Sequence, residues 1–166
     1  MTQSTRSGGM APLCLRPLPK NARWIPNTKL ALHPLATPAF ETYRNIRVSA
    51  RISPSLADPL LVVRSDQGRA LFFGNFAARM VFADHETMPV IVFDGLEGAD
   101  ITRFAWAEIT KLAFNQLHPR GGFQDLKRAL LLSPEDVTKT AIGQIGDAAL
   151  ARHLAVDVSR FRGAQR

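Results

Sequence analysis

Gly74-Asn75-Phe76-Ala77-Ala78-Arg79 stands between an apolar run and a short helical stretch. A glycine at a helix opening lets a ligand approach the backbone, and the free N–H groups there attract an anion. Arg79, about one turn further on, can add a forked contact to the same phosphate. Gly74, Asn75 and Arg79 are therefore candidate phosphate-binding residues. The same pattern has a plain structural reading, because glycine often opens helices and Arg79 can simply meet Asp84 or Glu86. Asp84, Glu86 and Asp94 bracket the next loop and strand. Carboxylates holding a divalent ion such as Mg2+ beside a phosphate stabilise charge in phosphoryl transfer, so these three are candidate metal ligands. Singly, each is also an ordinary solvated carboxylate.

Other chemistry is excluded by absence of its motifs. There is no G-x-G-x-x-G, no G-x-x-x-x-G-K-[ST], no G-x-S-x-G and no H-E-x-x-H. The single cysteine, Cys14, excludes an intramolecular disulfide framework and a cysteine-based zinc cluster. No run reaches 18 apolar residues, so no membrane span is expected. The first ten residues do not read as a secretory signal. A soluble, cytoplasmic protein is the expectation.

The elements that must position these residues are legible in outline. Residues 1–22 carry Gly8, Gly9, Pro12, Pro17 and Pro19 and read as a flexible basic arm. An extended segment is expected from Trp24 through Leu30 and Leu32, then a Pro-punctuated turn at His33-Pro34. Thr37 can cap a helix with Pro38 in its first position. On that helix Phe40, Tyr43, Ile46 and Ala50 share one face, while Arg44, Arg47 and Arg51 form a basic stripe at i, i+3 and i+7. Pro59 to Arg64, a Ser65-Asp66-Gln67-Gly68 turn and Arg69 to Phe73 read as a hairpin. A helix from Phe76 to Ala83 and a strand from Met88 to Phe93 follow. Helices are expected over Ala99–Leu117 and Phe123–Leu132, then from a Ser133-Pro134-Glu135-Asp136 start with an acidic first turn through Thr138 to Ile145, and over Asp147–Ala155.

Charge separates the ends from the body. The 166 residues carry a net charge of +7, and 16 of the 21 basic side chains are arginine. Residues 1–23 contribute +4 and residues 152–166 contribute +3, leaving residues 24–151 neutral. Basic flanks favour a polyanion, since neutralising phosphates releases counterions. Arg160, Arg162 and Arg166 join Arg44, Arg47 and Arg51 as candidate DNA contacts.

The order of His33-Pro34 turn, helix, Pro59-Leu60-Leu61-Val62-Val63 strand, hairpin, Gly74 helix and Met88-Pro89-Val90-Ile91-Val92 strand resembles the ParB/sulfiredoxin superfamily. In ParB-type members a Gly-Glu-Arg-Arg box opens the helix, and a Pro-Val-Ile-Val strand begins just beyond that helix. Here the box reads Gly74-Asn75-Phe76-Ala77, and the strand Pro89-Val90-Ile91-Val92 follows at the matching distance. The resemblance implies an α+β fold, a ParB/sulfiredoxin-like small mixed sheet with flanking helices over residues 23–118. Residues 119–166 would be a helical C-terminal extension with a basic tail. It places the His33 turn near the Gly74 helix, which adds Glu41 and His33 as candidates. Arg79, Glu41 and Glu86 would then carry catalysis. Sulfiredoxin chemistry is not expected, because its cysteine is missing.

The size and layout are similar to the Osa-like plasmid fertility-inhibition branch. That likeness implies ATP hydrolysis and DNA cleavage, and a block on conjugative or T-DNA export through a type IV secretion coupling ATPase. The alternative is a non-enzymatic ParB-like DNA-binding regulator or a partition-related protein. Ala151 to Phe161 has the small and apolar spacing of a helix-turn-helix core, although an ordinary packing helix with a basic tail is the favoured reading there.

Overall fold

The computed structural model describes residues 19–49, 58–116, 123–143 and 146–161. Cys14, Arg51, Arg162, Arg166 and nearly all of the expected N-terminal arm lie outside that set.

Five strands form one mixed sheet: β1 (Ala22–Pro26), β2 (Leu30–Leu32), β3 (Leu60–Arg64), β4 (Ala70–Gly74) and β5 (Thr87–Phe93). Their spatial order is β1-β5-β3-β4-β2. β3 is antiparallel to β4 through the expected hairpin and parallel to β5, with Leu60 opposite Val90 and Val63 opposite Phe93. Leu60, Val62, Phe72, Phe73, Met88 and Val90 are buried, so the central strands carry the apolar runs of a sheet covered by helices.

The expected extended segment from Trp24 to Leu32 divides into two strands at opposite edges of the sheet. β1 pairs antiparallel with β5 and β2 parallel with β4. Only a 3-10 turn, Asn27–Lys29, joins them. Four residue steps reach at most about 14 Å, whereas four strand spacings in a flat sheet come to about 19 Å. The sheet must therefore curl to bring its edges together, and Asn27 fastens the crossing point.

Six α-helices are present among the described residues, α1 and α2 between strands and the rest after β5: α1 (Thr37–Ser49), α2 (Phe76–Val81), α3 (Gly98–Gln116), α4 (Phe123–Leu132), α5 (Glu135–Ile142) and α6 (Asp147–His153). α3 buries Ile101, Ala105, Ile109 and Leu112 and leaves Arg103, Ala107 and Lys111 outside, the stripe expected of an amphipathic helix. It packs against α1, β4, α4 and α5. Phe76 of α2 meets Phe40 and Tyr43 of α1 edge to face, with centroids 5.1 and 5.5 Å apart.

Thr37 does not cap α1 as expected; its own backbone is helical. His33 caps the entry, its Nδ1 accepting from Leu35 N at 3.2 Å ahead of the 3-10 turn Pro34–Ala36. No helix among the described residues is long and apolar enough to cross a membrane.

Candidate functional site

Gly74 closes β4 in the core. A Cβ there would lie 3.0 Å from Leu61 Cδ1, so the glycine serves the approach of β3 to β4. Asn75 then turns the chain with φ of 56°, a left-handed conformation that asparagine tolerates better than most residues. Its Nδ2 donates to Pro59 O at 2.6 Å, and its Oδ1 accepts from Lys111 Nζ at 3.3 Å. Lys111 also lies 3.5 Å from Asp58 Oδ2 and 3.7 Å from Glu108 Oε1.

An acid of the protein itself lies at this junction: Glu108 of α3 is buried, with Oε1 3.7 Å from Lys111 Nζ. Burial pushes the Glu108 carboxyl above its ordinary range, against the opposing pull of Lys111 and of the Phe76 and Asn75 N–H groups. The expected phosphate contacts at Gly74 and Asn75 thus have a buried acid of the protein, Glu108, as their neighbour.

Arg79 does not point back at that junction. Its Nη1 donates to Asn27 Oδ1, while Asn27 Nδ2 donates to Phe82 O, Ala83 O and His85 O at 3.1 to 3.3 Å. The backbone is pinned too, Asn27 N donating to Glu86 O at 2.8 Å. Arg79 and Asn27 together close the C-terminal end of α2, where carbonyls lack helical partners.

The basic stripe on α1 also divides. Arg44 is exposed, but Arg47 is only 2% exposed and donates from Nη1 to Tyr43 Oη at 2.9 Å. Arg47 is therefore a core residue and is withdrawn as a DNA contact. Burial raises the Tyr43 hydroxyl above its usual value, and Arg47 opposes the shift. Glu41 is exposed on α1 and forms no hydrogen bond or ion pair among the described residues. His33 spends Nδ1 on its cap, and burial lowers its pKa. Arg160 is exposed near the C-terminal end.

The three proposed metal ligands are not brought together. Asp84 and Glu86 sit exposed before β5, and Asp94 sits beyond its far end. A seven-residue strand spans about 23 Å, far beyond the reach of one cation's coordination shell. Among the described residues no three His, Cys, Asp or Glu side chains are placed to hold a metal ion. The candidate Mg2+ site does not fit the fold.

The residues that sequence reasoning missed are Asn27, Glu108 and Lys111. Glu108 had a signal, being a carboxylate beside Ile109 in the apolar stripe of α3. Asn27 had none, because its partners at Phe82, Ala83 and His85 lie far along the chain, beyond the β3–β4 hairpin. Comparison with protein-family models and with curated proteins finds no match.

Proposed function

We propose that this chain is a ParB/sulfiredoxin-like plasmid fertility-inhibition protein that works by binding nucleotide and DNA. The observation supporting it is the Glu108–Lys111 pair at the β4–α2 junction. Two backbone N–H groups and a half-exposed lysine already gather round a carboxylate there. Lys111 and the N–H groups are the kinds of donor a nucleotide phosphate uses, and Glu108 is the acid it would have to displace. The biological consequence in this reading is interference with DNA export through a type IV secretion coupling ATPase.

ATPase and DNase activity are the reactions that accompany the resemblance. Of the two forms of the reading, hydrolytic and purely binding, the second is favoured. The specific observation is the separation of Asp84 and Glu86 from Asp94, which leaves no trio of acids among the described residues to hold a metal beside a phosphate. Binding without a metal held by these three acids is therefore the preferred form of the fertility-inhibition reading.

Purified protein incubated with plasmid DNA and ATP, with magnesium or with chelator, tests both halves. The expected result is a shifted plasmid band with ATP and DNA intact. Magnesium-dependent release of phosphate or DNA nicks would restore the hydrolytic form. A fluorescent ATP analogue should bind Glu108→Gln more tightly than the parent, and failure to bind either protein would remove the nucleotide half.

A further inference from the structure

β1 ends the strand order, so among the described residues no strand lies along its outer edge. Antiparallel neighbours alternate between bonded and unbonded pairs. Asn27 N donates to Glu86 O at 2.8 Å, which makes Ile25–Met88 and Arg23–Val90 the bonded pairs of the β1–β5 register. Trp24 stands opposite Pro89, which has no N–H to give. Ala22, Trp24 and Pro26 therefore turn their backbone polar groups toward the open edge. Ala22 shows the direction, its N donating outward to Pro19 O at 2.9 Å.

An apolar ring accompanies this edge. Trp24 is 50% exposed, although its indole meets Phe82 edge to face at 6.3 Å. An open strand edge beside a large apolar surface is a template for another chain, and natural folds cover such edges. The described residues begin in a place that suits this. Pro19-Lys20-Asn21-Ala22 is a four-residue turn closed by the bond between Ala22 and Pro19. A turn of this kind reverses the chain, so the residues before Pro19 are directed back along the outer side of β1.

We propose that residues 13–18 form a strap that folds back over the edge of β1 and covers Trp24. The direction of the turn and the composition of the segment both argue for this occupant. Counting back through a two-residue turn sets Pro19 beside Ala22, Pro17 beside Trp24 and Leu15 beside Pro26. Residues at alternate positions share one face, which lays the Pro17 ring and the Leu15 side chain along the exposed indole. Leu13-Cys14-Leu15-Arg16-Pro17-Leu18 carries a single charged residue, Arg16, a composition suited to apolar cover. The Trp24 N–H can donate to the Pro17 carbonyl. Pro17 and Pro19 can give no bond in return, so the strap is held mainly by its side chains and can lift without disturbing β1. The strap requires neither nucleotide nor DNA.

Hydrogen exchange and acrylamide quenching on the full chain test the strap. The comparison is with a Leu15→Gly/Pro17→Gly variant, since glycine supplies neither side chain nor preset backbone angle. The Trp24 amide should exchange more slowly in the parent than in the variant, by about tenfold or more. Acrylamide should quench the variant's tryptophan emission more strongly, because Trp24 is then uncovered while Trp106, 6% exposed, stays shielded in both proteins. The Val62 amide, on the central strand β3, should keep its protection in both, which separates release of the strap from unfolding. Equal exchange at Trp24 and equal quenching in the two proteins would overturn the proposal. So would protection that fades when the parent is diluted, because a second copy would then be the cover.

Discussion

Arg47 Nη1 donates to the Tyr43 hydroxyl one turn back on α1, and its guanidinium lies 5.5 Å from the Tyr43 ring centre. A cation placed there is paired and stacked inside the fold, which changes what its removal means. Arg47→Ala should destabilise the protein by about 3 kcal/mol, since truncation leaves a cavity and strands the groups that faced the charge. Its affinity for an unrelated duplex, measured at a temperature where it remains folded, should not change. Arg44→Ala should do the opposite, leaving the urea midpoint in place and weakening duplex binding. A swap of these two outcomes would return Arg47 to the DNA surface.

Helical geometry explains why α1 misled. At about 100° per residue, Arg47 lies roughly 60° from Arg44 and only about 40° from Tyr43. A spacing that makes a basic stripe also places its middle member on the apolar face. The helices packed on α1, α3 and α4, decide between them. By contrast, the β3–β4 hairpin was legible from its turn chemistry, and α3 from its apolar period. The separation of β1 from β2 was not, because a two-edge crossing needs partners from β4 and β5. The candidate site shows the same limit: Gly74 is read from its place before a helix, while its neighbour Glu108 lies on α3, with α2 and β5 intervening in the chain.

Asn27 and Arg79 should behave as a coupled pair. Asn27→Ala removes three donated bonds to the end of α2 and the acceptor for Arg79, a loss of about 2 kcal/mol. Arg79→Ala should cost less, and the double variant should fall short of the sum by about 0.5 kcal/mol or more. Urea unfolding of the four proteins measures the cycle. Full additivity would mean that Arg79 acts elsewhere, as the phosphate contact first expected of it.

Glu108 gives stability a defined pH dependence. Its folded pKa is raised, so the folded state holds its proton more firmly than the unfolded chain does. That contribution is fully present below the ordinary glutamate value and is lost as pH rises through the raised folded value. Glu108→Gln keeps an acceptor for the Phe76 and Asn75 N–H groups but cannot ionise. Relative to the parent, it should therefore gain stability on going from pH 5 to pH 8 in thermal melts. A parent–variant difference that does not change with pH would contradict the raised value.

Asn75 combines backbone and side-chain duties that two substitutions can separate. Asn75→Gly keeps the left-handed turn but loses the bonds to Pro59 and Lys111, whereas Asn75→Ala loses the bonds and adds strain. The alanine variant should be less stable than the glycine variant by about 1 kcal/mol. Equal urea midpoints would show that the turn relaxes without cost.

Ala155 offers the reverse experiment. An alanine at φ of 52° carries steric strain of about 1–2 kcal/mol, and glycine there gives back part of the gain through its freer unfolded chain. Ala155→Gly should therefore stabilise the protein by about 0.5 kcal/mol, seen as a higher melting temperature. A β-branched residue clashes in this conformation, so Ala155→Val should lower the melting temperature. Opposite shifts in stability would show that the turn after α6 is held in the left-handed conformation. A valine variant as stable as the parent would mean that Ala155 is not held in the left-handed conformation.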